Sequence, residues 1–256
     1  MLNSIKSDLQ RLRNEEKIKV YSNFFKTGKG EYGEGDEFLG ISVPEQRKIA
    51  RKYSGLSFEA IRKLMDSSVH EHRLTALLIL VEDYKKADSK RKKEIFDFYF
   101  RNAKWVNNWD LVDLTADKIV GSYLNNKDKS LLYKLAKSDN LWERRIAIIS
   151  TYNFIKNNRY EDTFKIAEIL VNDKHDLIHK AVGWMLREVG KRNQKQEEEF
   201  LAKHYKNMPR TMLRYAIEKF DEDKRRFYLE NSEVEESRKR HKKEFISHEE
   251  MREEFG

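Results

Sequence analysis

Thr75-Ala76-Leu77-Leu78, Asp110-Leu111-Val112-Asp113, Arg145-Ile146-Ala147-Ile148, Lys180-Ala181-Val182-Gly183 and Arg214-Tyr215-Ala216-Ile217 follow one another at near-constant spacing, their first residues 35, 35, 35 and 34 positions apart. Each quartet belongs to an apolar stretch with helical periodicity. Second apolar stretches fall between them, carrying Ile95, Phe96 and Tyr99, then Leu131, Leu132 and Leu135, then Phe164, Ile166 and Ile169, then Phe200, Leu201 and Tyr205. A helix pair recurring at this period cannot bury its apolar face alone and does so by stacking on its neighbours. The expected fold is therefore all-α: an α-solenoid of HEAT-like helical-pair repeats forming a concave basic groove. The tetratricopeptide Trp-Leu-Gly-Tyr pattern is absent.

Outward from the repeats, only two prolines and ten glycines interrupt the chain, and apolar residues recur at i, i+3, i+4 rather than in alternation. Residues 3–25 read as one helix through Ile5, Leu9, Leu12, Ile18, Tyr21 and Phe25. Glycines 28, 30, 33, 35 and 40 then punctuate a loop that also holds Glu31, Glu34, Asp36 and Glu37. Those carboxylates would repel a phosphate and the Gly-Lys-Ser/Thr ending is missing, so the loop reads as a flexible connector. Ser42-Val43-Pro44-Glu45 has the form of a capping box with proline in the first turn and predicts a helix to about Tyr53.

The 256 residues are 39% hydrophobic and 12% aromatic, enough to fill a core. With no cysteine, disulfides, thiolate-zinc sites and cysteine nucleophiles are excluded together. Neither an apolar leader at Met1-Leu2-Asn3-Ser4 nor a run of ~18 apolar residues is present, so a soluble, cytoplasmic, nucleoid-associated monomer without membrane contact is expected. Residues 221–256 hold 9 basic and 12 acidic side chains, leaving 43 against 32 on residues 1–220, a net of +11. Such a balance suits a polyanion partner, most often nucleic acid. The charge shift also marks the expected boundary between a repeat domain, 1–220, and a charged C-terminal extension, 221–256, read as a solvated or frayed helix.

Against this frame, Lys104-Trp105-Val106-Asn107-Asn108-Trp109-Asp110-Leu111-Val112-Asp113 is the stretch with the most chemistry. On a helix, Trp105, Trp109 and Asp113 would form a ladder at i, i+4, i+8, an aromatic floor beside an anion. Asp113 fills a register occupied by Leu78, Ile148, Gly183 and Ile217 elsewhere, and a carboxylate in an apolar slot is costly unless paired or functional. Arg145, Lys180 and Arg214 share a register and predict a basic stripe. Trp142 and Trp184 add aromatics beside Arg144, Arg145, Lys180 and Arg187, suited to sugars and bases held against phosphate, although Trp142 reads as packing. His175 and His179 have the spacing of a zinc pair but lack a third ligand, and His70 and His72 cannot share a helical face. No metal site is expected.

Trp109-Asp110-Leu111-Val112-Asp113, Asp139-Asn140-Leu141-Trp142-Glu143-Arg144-Arg145 and Lys180-Ala181-Val182-Gly183-Trp184-Met185-Leu186-Arg187-Glu188, in this order, resemble the AlkD family of HEAT-like-repeat DNA glycosylases. Phe38-Leu39-Gly40-Ile41-Ser42-Val43-Pro44-Glu45-Gln46-Arg47 resembles that family's N-terminal segment, and the likeness spans roughly residues 1–220. The resemblance implies excision of cationic N3- and N7-alkylated purines from double-stranded DNA with the lesion still stacked. It further implies Asp113 as the catalytic carboxylate, Trp109 and Trp184 as rings packing on the damaged nucleotide's sugar, and Arg145 and Arg187 as DNA contacts beside Lys180 and Arg214 of the stripe. The loop at 27–40 and the tail beyond 220 depart from the family pattern.

An alkylated cationic purine is already an activated leaving group, so the chemistry needs no second carboxylate to protonate it, no metal and no organic cofactor. One carboxylate that opposes positive charge developing on C1′ and positions water is sufficient. A non-catalytic HEAT-like nucleic-acid-binding or scaffold protein is the alternative. Asp113, which a binder has no evident reason to place in an apolar register, separates the two.

Overall fold

In the computed structural model, which describes residues 1–232, the chain is helical and divides into two compact units, Met1–Thr115 and residues 116–232. Among the described residues extended pairing is confined to a single bridge, Glu37 with Val69, and no helix is long and apolar enough to cross a membrane.

The first unit runs α1 (Leu2–Arg11), α2 (Glu15–Phe24), α3 (Val43–Lys52), α4 (Phe58–Met65), α5 (His70–Lys86), α6 (Ser89–Arg101), a 3₁₀ turn (Ala103–Trp105) and α7 (Trp109–Asp113). The single helix expected over residues 3–25 is two. Asn14 breaks it by taking extended backbone and accepting the Lys17 N–H at 3.0 Å as an N-cap, with Glu15 and Glu16 in the first turn behind it. The capping box forms as expected, Glu45 accepting from both the N–H and the hydroxyl of Ser42. Helix α5 is the unit's spine: thirteen of its residues are buried, from His70 to Tyr84, and both α3 and α4 pack on it.

The glycine-rich loop is anchored where it meets this spine, contrary to the reading of a flexible connector. The backbone N–H groups of Leu39, Gly40 and Ile41 donate to the buried Glu71 carboxylate at 2.9, 2.8 and 3.2 Å. Glu37 accepts the His70 N–H at 2.8 Å and donates to the Ser68 carbonyl at 3.0 Å. Gly40 sits at φ +74°, and a Cβ there would fall 2.3 Å from the Asn14 carbonyl oxygen, so this position tolerates only glycine.

The second unit begins with a π turn (Asp117–Gly121) leading into α8 (Ser122–Leu124), then α9 (Ser130–Ala136), α10 (Leu141–Ser150), α11 (Tyr152–Lys156), α12 (Glu161–Leu170), α13 (Asp176–His204), α14 (Arg210–Ala216) and α15 (Glu222–Glu230). The repeat is realised here. Arg145, Lys180 and Arg214 lie on α10, α13 and α14, and the intervening apolar stretches on α9, α12 and the second half of α13, beyond a break at Asn193 (φ −151°, ψ 82°). Gly183 stands where its repeat mates carry side chains because α14 comes too close: a Cβ would meet the Met212 carbonyl oxygen at 2.4 Å. Residues 222–230 form a regular helix, solvated along most of its length as expected. Tyr228 is buried, and Arg210 donates to the Leu229 carbonyl and to Ser232 Oγ. The basic block Arg238–Lys243 lies outside the described residues.

One buried group in this unit carries a stability cost. Glu197 is 1% exposed on the far side of the Asn193 break, its Oε1 has no hydrogen-bond partner, and burial, reinforced by Glu198, pushes its pKa up to about 9. An acid whose folded pKa lies above its unfolded value of 4.5 loses stability as pH rises from 4.5 toward 9. Glu197→Gln should therefore raise the unfolding free energy from denaturant titration at pH 7.5, by on the order of 2 kcal/mol, and leave it unchanged at pH 4.

Candidate active site

The ladder expected at Trp105, Trp109 and Asp113 keeps only its upper two rungs. Trp105 belongs to the 3₁₀ turn, Val106 leaves helical geometry at ψ 62°, and Asn108 is fully extended, so helical backbone starts afresh at Trp109. The Asn108 side chain caps that start by accepting the Trp109 N–H at 2.8 Å. Trp105 instead carries Lys104 over its ring at 4.8 Å and Arg62 at 5.8 Å. Trp109 and Asp113 remain one turn apart on α7, both partly exposed, while Leu111 and Val112 between them are buried.

A five-residue helix has almost no stability of its own, so its geometry comes from what holds it. At its far end Thr115 donates to the Leu111 carbonyl and pairs with the Tyr99 hydroxyl at 3.2 Å. On the near side, the Trp109 ring stacks flat on Phe25, 5.2 Å between centroids at 10°, with Phe24 edge-on at 5.7 Å. Phe25 in turn stacks on Phe38 at 5.0 Å. Only part of the indole is therefore exposed.

Beneath this platform lies a buried network that the sequence did not disclose. Asp110, 4% exposed, accepts from His70 Nε2 at 2.7 Å, and His70 Nδ1 donates to Asp36 at 3.2 Å. Asp36 also takes Arg73 at 2.6 Å and Asn108 Nδ2 at 3.5 Å. Burial alone would pull the imidazole down, but Asp110 and then Asp36 outweigh it and raise the His70 pKa to about 9. Burial would likewise raise Asp36, yet His70 and Arg73 hold it below the usual carboxylate range. Two cations and two anions thus balance in the interior, a condition for burying charge at tolerable cost. His70 lies 34 residues from Asp36 and 40 from Asp110, and nothing local in sequence pairs them. Asp110's place in the repeat, where Thr75 and Arg145 are also buried, was the only available signal.

The second unit's expected contacts sit at two depths. Arg145 is 3% exposed and donates to the Leu177 carbonyl, and Arg187 is 2% exposed and pairs with Glu218. Their guanidinium groups lie inside the unit rather than on a solvent-facing stripe. Lys180 and Arg214 are partly exposed, Lys180 pairing with Asp176 one turn away at 3.0 Å. Trp184 is 2% exposed, its ring 5.8 Å from Tyr152, and Tyr152 is partly exposed with Lys156 over its ring at 4.7 Å. Trp142 is partly exposed at the start of α10. Neither histidine of the apparent zinc pair is available as such: His175 Nδ1 caps α13 by accepting the Leu177 N–H at 3.2 Å, and His179 bonds the Asp173 carbonyl. Among the described residues no group of three or more potential ligands could hold a metal ion.

Residues 5–220 match the family model described as DNA alkylation repair enzyme. Among solved structures, the chain is similar to a predicted DNA alkylation repair enzyme from Enterococcus faecalis, with a TM-score of 0.62 and 17% identity over 82% of this chain and 97% of that one, a likeness of fold. No curated protein matches the sequence. A family match covering most of the chain, on an all-helical repeat fold, leads to one conclusion: this protein is a member of the DNA alkylation repair enzyme family.

Proposed function

We propose that the protein is a DNA glycosylase that hydrolyses the N-glycosidic bond of cationic N3- and N7-alkylated purines in duplex DNA, without flipping the base. The observation that carries the reading is the pair on α7: a partly exposed carboxylate one helical turn from a partly exposed indole, on a helix pinned by a charge-balanced interior. In this reading the Trp109 edge packs on the damaged nucleotide's sugar. Asp113 opposes the charge growing on C1′ as the bond to the cationic purine breaks, and orients the water that attacks there. The electron pair of that bond returns to the departing purine and neutralises it, so no acid is required. Water then adds to C1′ and yields its proton, leaving an abasic sugar. In the second unit Trp184 backs the partly exposed Tyr152, an aromatic surface open to the duplex.

DNA is held through phosphates, with Lys180 and Arg214 as direct contacts. Arg145 and Arg187 serve the same surface from below, tying the Leu177 carbonyl and Glu218 into place beneath it. Lys180→Ala and Arg214→Ala should each lower the slope of log affinity against log salt by about 1, equally on methylated and unmethylated duplex. Unchanged slopes in both variants would move the DNA face elsewhere. The function itself is tested by incubating the purified protein with methylated duplex and assaying liberated purine. A binder without catalysis would retain the salt-dependent affinity and liberate none.

A further inference from the structure

The reacting pair on α7 is gripped twice by one side chain that neither touches it nor belongs to it. The first grip is ionic, from His70 Nε2 to Asp110, the residue next to Trp109. The second is aromatic: Trp109 lies flat on Phe25, and the His70 ring lies 4.9 Å from Phe25 and 4.8 Å from Phe38, the latter at 24°. His70 is the first residue of α5, the most buried helix of its unit, so both grips end on the unit's most constrained element. We propose that His70 is a positioning residue for base release, setting the register and tilt of α7 so that Trp109 and Asp113 meet the damaged sugar together. The proposal rests on the glycosylase reading given above.

Only a charged ring can donate to both carboxylates at once. Nδ1 and Nε2 each face a carboxylate oxygen, at 3.2 and 2.7 Å, and a neutral imidazole has only one N–H, so deprotonation turns a lone pair onto Asp36 or Asp110. A cationic ring is also the one that phenyl faces attract. From the elements packed against it, the charged groups facing His70 are Asp36 from the loop and Asp110 from α7. On its own helix Arg73 pairs with Asp36 but also lies 3.5 Å from His70 Nδ1 and opposes its charge, while Glu71 turns to the backbone N–H groups of residues 39–41. No cation from another element opposes its charge within this set. Loss of the grip leaves α7 with its aromatic stack and the Thr115 anchor, which hold the helix in place but not in register, and a displacement of about 1 Å at reacting groups costs on the order of 10²-fold in rate.

The test compares the full-length wild type with His70→Gln, which keeps a hydrogen-bond donor but no charge, in single-turnover base release from methylated duplex. Duplex affinity is measured on the same samples, and the Trp109 indole N–H resonance, assigned with Trp109→Phe, is followed from pH 7 to 10.5. The expected result is a loss of about 10²-fold in rate with affinity within about twofold. In the wild type the Trp109 resonance should shift as pH rises through about 9, and in His70→Gln it should not. A folded His70→Gln that releases base at the wild-type rate would overturn the proposal. If that variant does not fold, the wild-type resonance decides, and one that stays fixed across the range overturns it. If the wild type releases no base, the glycosylase reading fails, and the same resonance still shows whether His70 sets α7.

Discussion

Asp113→Asn should lower single-turnover base release by about 10²- to 10³-fold, the size of effect seen when one preorganised group opposing transition-state charge is lost, while leaving duplex affinity intact. The substitution keeps the size and most of the hydrogen bonding of the side chain. What it removes is the negative charge proposed to face the sugar as C1′ becomes positive, so the loss should fall on the chemical step. Affinity should hold or rise slightly, because a carboxylate near a phosphate backbone repels it. Trp109→Ala should behave differently, weakening lesion contact and rate together, since the indole packs on both Phe25 and the proposed nucleotide surface. Rapid-quench kinetics on the two variants, with titrations of the same preparations, separates these effects. An Asp113→Asn protein that releases 7-methylguanine and 3-methyladenine at the wild-type rate would remove Asp113 from the mechanism.

Asp110→Ala should strongly destabilise the first unit. It strips one carboxylate from a buried set of two cations and two anions and leaves the His70 imidazolium without its shortest partner. Breaking a buried pair from one side typically costs about 3–5 kcal/mol, which for a unit of this size lowers the melting temperature by roughly 10 °C or more. Asp110→Asn retains an oxygen for the Nε2–H and should cost less. The wild type carries the same signature in its pH dependence. The folded His70 pKa, about 9, lies above the 6.5 of an unconstrained imidazole, so the stabilisation is full below pH 6.5, declines above it and is gone once pH passes 9. It amounts to on the order of 3 kcal/mol, and calorimetry between pH 6 and 10 would show it in the Glu197→Gln background, which removes the decline that Glu197 contributes over the same window. A flat profile in that background across that window would mean that His70 is neutral and the network is not the charge-balanced set described here.

The repeat, the all-helical class and the pairing of Trp109 with Asp113 were legible in the sequence because each rests on local periodicity. A 35-residue interval and an i, i+4 spacing survive translation into three dimensions without knowledge of distant partners. Errors arose where a polar side chain overrode periodicity: Asn14 split the first helix by capping, and Asn108 restarted the chain and detached Trp105 from the ladder. Burial of individual cations was also beyond reach. Arg145 and Lys180 share a register and a helix face by spacing, yet one is sunk against the Leu177 carbonyl and the other half exposed beside Asp176. The His70 network was invisible for a different reason. Its partners come from a glycine-rich loop, α5 and α7, and the run of acidic residues in that loop gave no hint that Asp36 turns inward. His70 and His72 do diverge on their helix as the spacing requires: His72 bonds Ser67, and burial lowers its pKa to about 4.

The proposed cleavage of the glycosidic bond of cationic purines is read out by chromatographic detection of liberated base from duplex DNA carrying 7-methylguanine or 3-methyladenine, at enzyme in excess over DNA. Wild-type protein should liberate methylated purine with an equal number of abasic sites, without added metal or cofactor, and leave unmodified guanine and adenine in place. Retention of every methylated base by a protein that still binds the duplex would contradict it, leaving a non-catalytic helical-repeat DNA binder as the reading.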